Sequence, residues 1–449
     1  MKTKISKDKI NFLDNGADPL GRVFEHDNRV FRAIYPEKQS YYFSMVQSGL
    51  LKELIDKNLI PNTWESEYAV EGFDLVLEHE KIRYNIPLLW SFSMLKAVAV
   101  NILIVNKIAN KYGYQLIDAH PFNSCFDGVL PKFIDIGSFV PYSQETLYNW
   151  SYEYKRCIIA PLLMWNVRDS FFARKIIEGS ANLYQRTIPT CFIENSQSYL
   201  SALEIFNAYH KKHSSESFLQ LIKKVLQENI FEAEDIEQLF HCPASPSAWD
   251  EYQNFSYENL VKNENTQQLY RFKRILEIVK DNCVNVGSAL DLAGNCGLFS
   301  YLLSKNLKCK HITSTDYEEA TIEIAYKKFK DLAPNCSTFL LNFMYPYSKQ
   351  VFQDLKSDIA FALAVTHHLL LSQNFKINQI FEMISRYSSK YVCIEFMPLG
   401  LWGGIGNPVP EVPLYYTEEW FEKSFSSYFS IIYKEKIEEN RIVFLGEIK

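Results

Sequence analysis

The 449-residue chain carries 47 Lys and Arg against 53 Asp and Glu, a net charge of -6, and is 47% hydrophobic and 22% charged. That is the balance of a globular protein long enough for two or three domains, and the lack of a basic stripe argues against nucleic-acid partners, whose phosphates need clustered Lys and Arg. The nine cysteines are scattered and never form C-x-x-C, so neither a disulfide framework nor a zinc site is indicated; with no apolar core in "MKTKISKDKI", a reducing cytoplasm is expected.

From Gly21 the stretch "GRVFEHDNRVFRAI" alternates, turns at "HDN" and alternates again, which predicts a β-hairpin. Tyr42, Met45, Val46, Leu50 and Leu54 then recur at helical spacing through "EKQSYYFSMVQSGLLKELIDK". A short strand at "GFDLVLE" leads to "IPLLWSFSMLKAVAVNILIV", Ile86 to Val105. That segment nears the length of a membrane span, but Lys96 and Asn101 interrupt it and a charge there is costly in lipid, so a buried helix and no membrane span is the expectation.

Residues from about 145 to 240 read as mostly helical, and "HCPASPSAWDEYQNFSYENLVKNENTQQ" then loses periodicity and gains Pro, Ser and Asn, which marks a linker with a domain boundary near residue 250. Beyond it, strands read at "SALDLA", "HITSTD", "STFLLNF", "DIAFALAV" and "YVCIEFM", separated by helices at 298–306, 318–331 and 376–388. Apolar runs alternating with helices predict a parallel sheet covered on both faces. "SIIYKEKI" and "RIVFLGEI" are joined only by "EEN", too short for a crossover, so they must pair antiparallel.

Two stretches carry candidate chemistry. The first is "DAHPFN" followed by "FIDIG". Phosphoryl transfer needs a carboxylate near the acceptor hydroxyl and ligands for the metal on the nucleotide phosphates; Asp118 is the candidate base, Asn123 and Asp135 the metal ligands. D-x-H-P-x-N, a hairpin turning at Asp127-Gly128, and then I-D-x-G resemble the aminoglycoside-phosphotransferase and protein-kinase-like fold over about residues 15–210. The resemblance implies an α+β kinase-like domain over 1–210, a helical segment and linker over 211–255, and ATP with Mg if the site is active. Two features depart from it: no G-x-G-x-x-G covers the phosphates, and Arg32 in "VFRAI" stands where the family keeps a lysine, an exchange that is not neutral. Glu53 is either a partner of Arg32 or a solvent-facing residue, and His120 is expected to brace its own loop.

The second stretch is "DLAGNCG". In a doubly wound sheet, ligands settle beyond the carboxyl ends of the strands. Asp291 ends the first strand, the small Ala293 and Gly294 let the backbone come close, and Gly297 opens the helix "LFSYLLSK", whose free N–H groups suit an anion. One strand on, "STDYEE" sets Asp316 where a carboxylate accepts from two ribose hydroxyls. A dinucleotide fingerprint is absent. The pattern resembles the class I S-adenosylmethionine-dependent methyltransferases, a doubly wound Rossmann-like α/β fold with an antiparallel last strand, over residues 256–449. On that resemblance Asp291, Ala293, Asn295 and Gly297 line the methionine and ribose side of S-adenosylmethionine, Asp316 ends strand two, Asn342 follows strand three on the adenine side, and "AVTHHLLL" supplies an H-H-L after strand four; Ala293 replaces the family's first glycine.

Methyl transfer is an in-line displacement dominated by positioning, and a base matters only for a poorly acidic hydroxyl or a protonated amine. His367, His368 and Glu395 lie at strand ends and are the catalytic candidates, with a structural role for the histidines kept open. The loop "PLGLWGGIGNPVPEVPLYYTEEW", with Trp402, Tyr415, Tyr416 and Trp420, reads as a lid or acceptor wall. The expectation is a two-domain methyltransferase acting on oxygen of a small or carbohydrate-like acceptor, with the kinase-like domain assisting recognition. Similar bacterial methyltransferases with an N-terminal extension include some with names from nodulation or surface-glycan pathways. Two rivals remain: a kinase and methyltransferase in one chain, and a non-catalytic binding protein.

Overall fold

A computed structural model describes residues 2–13, 18–167, 169–180, 232–243, 257, 259–260, 262 and 266–449. Contacts divide the chain between Pro243 and Ala244 into two units. The helices expected within 181–231 and most of the expected linker lie outside the described residues.

In the N-terminal unit, strands β1 (Asn11–Phe12), β2 (Gly21–His26), β3 (Arg29–Ile34), β4 (Thr63–Glu65) and β5 (Val76–His79) form an antiparallel sheet in the order β1-β2-β3-β5-β4. Asp27 and Asn28 both take positive φ, 49° and 60°, the turn geometry that matches strand twist, and it closes the predicted hairpin. The helix predicted after it is two helices, α1 (Gln39–Ser48) and α2 (Leu50–Asp56), because Gly49 sits in the left-handed region at φ 89°.

The apolar segment becomes α3 (Phe92–Lys111), begun by Ser91, whose hydroxyl accepts from the Met94 N–H at 3.4 Å. It is long and apolar enough to cross a membrane by length and composition, yet twelve of its 20 residues are buried within the unit. Its polar interruptions are engaged there: Lys96 pairs with the Glu237 carboxylate at 2.7 Å, and the Asn101 side-chain amide donates to the Pro131 carbonyl at 2.5 Å. The hairpin β6 (Ser124–Asp127) and β7 (Leu130–Phe133) follows, turning through Gly128 at φ 59°. Strands Thr3–Ile5 with Tyr68–Val70, and Tyr114–Leu116 with Phe139–Pro141, form two further two-stranded sheets, and helices Gln144–Tyr154, Ala160–Val167, Ser170–Ser180 and Ala233–Leu239 also belong to this unit.

The C-terminal unit opens with α4 (Gln267–Asn282), part of which the sequence reading assigns to the linker, although Leu269, Phe272, Ile275, Leu276 and Val279 recur at helical spacing and Thr266 caps its N-terminus. Then come β8 (Ser288–Leu292), α5 (Leu298–Asn306), β9 (His311–Asp316), α6 (Glu319–Leu332), β10 (Cys336–Leu340), β11 (Ser357–Ala362), α7 (Ile377–Arg386), β12 (Ser388–Phe396), α8 (Glu418–Tyr428), β13 (Phe429–Glu438) and β14 (Arg441–Ile448). The sheet order is β10-β9-β8-β11-β12-β14-β13, with the first five strands parallel and β14 antiparallel to both β12 and β13. The α/β expectation therefore holds, with every predicted strand in place. Since β14 runs against its neighbours and Ile442 pairs with Phe396, the turn before β14 falls at the carboxyl end of the parallel strands.

Gly297 does not line the cavity described below, contrary to its expected place beside the cofactor. It sits at φ 78°, and a Cβ there would lie 2.4 Å from the Phe329 ring of α6. It serves instead to let α5 start against α6. Gly297→Ala is expected to destabilise the C-terminal unit by roughly 2–4 kcal/mol, from left-handed strain and overpacking, which a denaturant titration with a C-terminal probe would read.

Candidate functional site

Where β8, β9, β10 and β11 end, the C-terminal unit holds a cavity of about 1330 Å³. The loop after β8 reaches it through a tight path: Gly294 N–H donates to the Thr315 carbonyl at 2.8 Å, and a Cβ on Gly294 would sit 2.4 Å from the Ser314 hydroxyl and 2.6 Å from the Asp291 carboxylate. Only glycine fits. Its neighbours Ala293 and Asn295 are left-handed at φ 55° and 53°, and Ala364, after β11, at 52°. All three line the cavity. Holding an alanine there costs roughly 1–2 kcal/mol, and such strain gathers at functional sites.

Asp316, 7% exposed, ties two loops together: one carboxylate oxygen accepts from Asn295 N–H at 2.9 Å and the other from Glu318 N–H at 3.0 Å. Burial pushes its pKa up to about 6 against those backbone hydrogen bonds. Asp291 accepts from the Ser300 hydroxyl at 3.1 Å, and burial, opposed by that hydrogen bond, raises it to about 7, with the Asp316 charge adding. The Asn342 side chain accepts from Met344 N–H at 3.1 Å, which curls the chain after β10 into the cavity wall. Asp291, Ala293, Asn295, Asp316 and Asn342 thus come together on one cavity.

His367 and His368 also line it, on a π-helical turn that begins at His368, with ring centroids 4.2 Å apart. Burial, followed by His368 and Arg441, drives the His367 pKa down to about 3, so its imidazole is neutral at physiological pH. Burial also lowers His368.

Glu395 does not face the cavity. It is fully buried, with one carboxylate oxygen 3.2 Å from Arg441 Nη1 and the other 3.7 Å from Arg271 Nε. The two guanidinium groups hold it beneath the wall that they themselves form, outside the cavity lining, so it is a positioning group and not a base. Of the loop aromatics, Trp402 lines the cavity and donates from its indole N–H to the Asn407 carbonyl at 3.0 Å. Tyr415, Tyr416 and Trp420 do not; they pack on one another, with Tyr416 also against Phe396.

Sequence reasoning missed the rest of the wall. Gln268 and Arg271 arrive on α4, and Glu438, Glu439, Asn440 and Arg441 on the turn before β14. Asn440 accepts from Leu399 N–H at 2.6 Å and donates to the Gly400 carbonyl at 3.3 Å, anchoring the aromatic loop where it leaves β12. The signal was present in "EEN", whose place at the strand ends follows from the antiparallel pairing.

In the N-terminal unit, Asp118 pairs with His120 Nε2 at 3.3 Å. Burial opposes protonation of His120, but the Asp118 hydrogen bond outweighs it and raises the pKa; His120 braces the loop as expected. Asn123 closes the short turn Pro121–Asn123 and its carbonyl accepts from Ile134 N–H at 2.8 Å. Asp135 accepts from Gly137 N–H at 3.0 Å and lies 3.6 Å from Arg32 Nη2. Burial raises the Asp135 pKa, opposed by the Arg32 charge. Arg32, 4% exposed, is paired with Asp18 as well as Asp135. Glu53, read as either its partner or a solvent-facing residue, does not pair with it but accepts from Lys111 at 2.6 Å and the Tyr112 hydroxyl at 2.7 Å, because Gly49 ends α1 and α2 carries Glu53 toward the end of α3. Among the described residues no group of three or more His, Cys, Asp or Glu is arranged to hold a metal ion.

No family model matches the chain. It is 22% identical over 418 residues to the nodulation protein NoeA of Rhizobium meliloti (strain 1021), which covers 85% of this chain and 83% of that protein. Similar solved structures include an S-adenosylmethionine-dependent methyltransferase from Clostridium acetobutylicum ATCC 824, at 16% identity and TM-score 0.34, covering 44% of this chain and 98% of that one. Another is the N-methyltransferase NodS from Bradyrhizobium japonicum WM9, at 12% identity and TM-score 0.29, covering 40% of this chain and 94% of that one.

Proposed function

We propose that the C-terminal unit is an S-adenosylmethionine-dependent methyltransferase acting on oxygen of a small-molecule or carbohydrate-like acceptor in the cytoplasm. The observation that carries this reading is the set of polar groups on three successive strand ends, Asp291, Asp316 and Asn342, around a loop in which Gly294 has no room for a side chain. Burial raises Asp291 to about 7 and Asp316 to about 6, and a ligand that brings a cation and hydroxyl donors would favour their ionised forms.

The residues fit the cofactor in parts. Asp316 takes the ribose hydroxyls, Asp291 the ammonium group, and Asn342 the adenine edge. When bound, the cofactor supplies an electrophilic methyl group on a sulfonium. The protein's own part is placement: a cavity of about 1330 Å³ exceeds the roughly 300–1,000 Å³ of common ligand pockets and has room for an acceptor beside the cofactor. Neutral His367 orients an acceptor hydroxyl by a hydrogen bond, and its depressed pKa makes it a weak base. Trp402 offers a flat apolar face and Gln373 and Ser372 polar contacts, a combination suited to a sugar ring. The N-terminal unit is read as a kinase-like scaffold that assists acceptor recognition without ATP or Mg, since Arg32 already neutralises Asp135.

Calorimetric titration of the full chain with S-adenosylmethionine tests the reading: one site per chain is expected, weakened at least tenfold in Asp291→Ala. Absence of binding by the wild type would sink it.

A further inference from the structure

The roles above leave one end of the cavity wall without a task. Sheet order puts Asp291, Asp316 and Asn342 on the ends of β8, β9 and β10, while Glu438, Glu439, Asn440 and Arg441 reach the cavity from beyond β11, on the turn between β13 and β14. The two carboxylate oxygens of Glu438 are unequal. One accepts from Arg441 Nε at 2.9 Å; the other is buried and, among the described residues, has no hydrogen-bond donor. His367, 6% exposed and neutral, lines the same cavity, and its buried Nδ1 has no partner among them either. Leaving a buried polar group unmet costs about 1–3 kcal/mol, which a ligand that brings the missing partner recovers.

Charge decides what kind of partner that is. Asp291, Asp316, Glu438 and Glu439 line the cavity against Arg271 and Arg441, and no lysine does. Arg271 acts on Asp291, in the half that the cofactor takes. Arg441 is committed to Glu438 and, at 3.2 Å, to Glu395. A phosphate or carboxylate on an acceptor would therefore meet carboxylates at this end and no open cation. An ammonium is not called for either, because the Arg441 guanidinium already answers the Glu438 charge. What the second oxygen lacks is a hydrogen-bond donor, and a neutral hydroxyl supplies one. The same turn also positions an apolar face. Asn440 fastens the loop after β12 through Leu399 N–H and the Gly400 carbonyl, and that loop brings Trp402 into the cavity lining. A carboxylate oxygen, a neutral imidazole and a flat indole match the hydroxyl rim and apolar face of a sugar ring.

We propose that Glu438, with His367, forms the acceptor subsite and selects an uncharged, hydroxyl-bearing ring over its phosphorylated and amino counterparts. The proposal rests on the methyl-donor reading above and assigns the acceptor's chemical class to the β13–β14 turn.

The test uses three sets of probes: glucose, galactose, mannose and N-acetylglucosamine; the 6-phosphates of these sugars; and glucosamine, galactosamine and mannosamine. Saturation-transfer NMR measures their binding to the full chain, wild type and Glu438→Gln, with S-adenosylhomocysteine present and its own affinity read by calorimetry. At least one neutral sugar is expected to bind the wild type, with its 6-phosphate at least about tenfold weaker and its amino counterpart no tighter. Glu438→Gln is expected to weaken that sugar roughly tenfold while S-adenosylhomocysteine stays within about twofold, which also shows that the variant is folded. If sugar and S-adenosylhomocysteine weaken together, Glu438 acts through the packing of the wall and the proposal is overturned. It is equally overturned if Glu438→Gln leaves the sugar unchanged, if the phosphorylated or amino sugars bind the wild type better than the neutral ones, or if no sugar binds. A wild type that fails to bind S-adenosylhomocysteine removes the methyl-donor reading itself, a different result from any of these.

Discussion

Asp316→Asn is expected to weaken S-adenosylmethionine binding by roughly 10²- to 10⁴-fold, since two hydrogen bonds from ribose hydroxyls to a charged acceptor contribute about 1.5–3 kcal/mol each. The carboxylate already accepts from Asn295 and Glu318 N–H groups, so its geometry is set before any ligand arrives. An amide keeps the size but turns a donor toward one of those N–H groups. The same site has a pH signature. Burial holds the pKa near 6 for Asp316 and near 7 for Asp291, both above the ordinary carboxylate value. A folded-state pKa raised in this way means that the folded protein binds the proton more tightly than the unfolded chain. The contribution of these two groups to stability is therefore present at low pH and is lost as pH rises from about 4 through 7. Cofactor binding needs the ionised forms and runs the other way, weakening as pH falls below 7 and levelling above about 7.5. Opposite slopes of unliganded stability and cofactor affinity between pH 5 and 7, with the stability slope reduced in Asp316→Asn, are the expected result. Parallel slopes would contradict the assignment of Asp316.

What the sequence made legible is what neighbours along the chain decide. The alternation around "HDN" set the hairpin, the apolar runs set the parallel strands, and the short "EEN" forced the antiparallel end. The loop from Asp291 to Gly297 could be placed because a strand, a tight turn and a helix adjoin, and Asp316 and Asn342 followed as the ends of the next two strands. What stayed hidden depends on partners distant in sequence. Arg271 enters because α4 packs beside the strand ends. Arg441 enters because β14 lies between β12 and β13. Those two arginines then decide Glu395, which has the strand-end position of a catalytic residue but is enclosed by both of them. Gly297 shows the same limit from the other side: its motif position suggested ligand contact, while its neighbour Phe329 makes it a packing glycine. Tyr415, Tyr416 and Trp420 were aromatic in a long loop, which could not tell a cavity wall from a cluster of rings.

The N-terminal unit turns on Arg32. Its guanidinium is buried between Asp18 and Asp135. Removing one partner of such a buried group leaves uncompensated charge, so Arg32→Met is expected to destabilise the unit by about 3–5 kcal/mol. Combining it with Asp18→Asn and Asp135→Asn should restore much of that loss, because the triple variant leaves no orphaned carboxylate. Hydrogen exchange of peptides spanning β3 and Asp135 reads the effect within this unit alone. The same geometry bears on phosphoryl transfer. A phosphate needs a cation free to meet it, and a metal needs Asp135 as an anionic ligand; here the two candidate groups face each other, and Asp18 supplies the anion that a phosphate would. Millimolar ATP with Mg is therefore expected to leave the exchange protection of β3 unchanged in the wild type. Protection that rises with MgATP and is abolished by Asp135→Asn would instead favour the reading in which this chain phosphorylates its acceptor as well as methylating it.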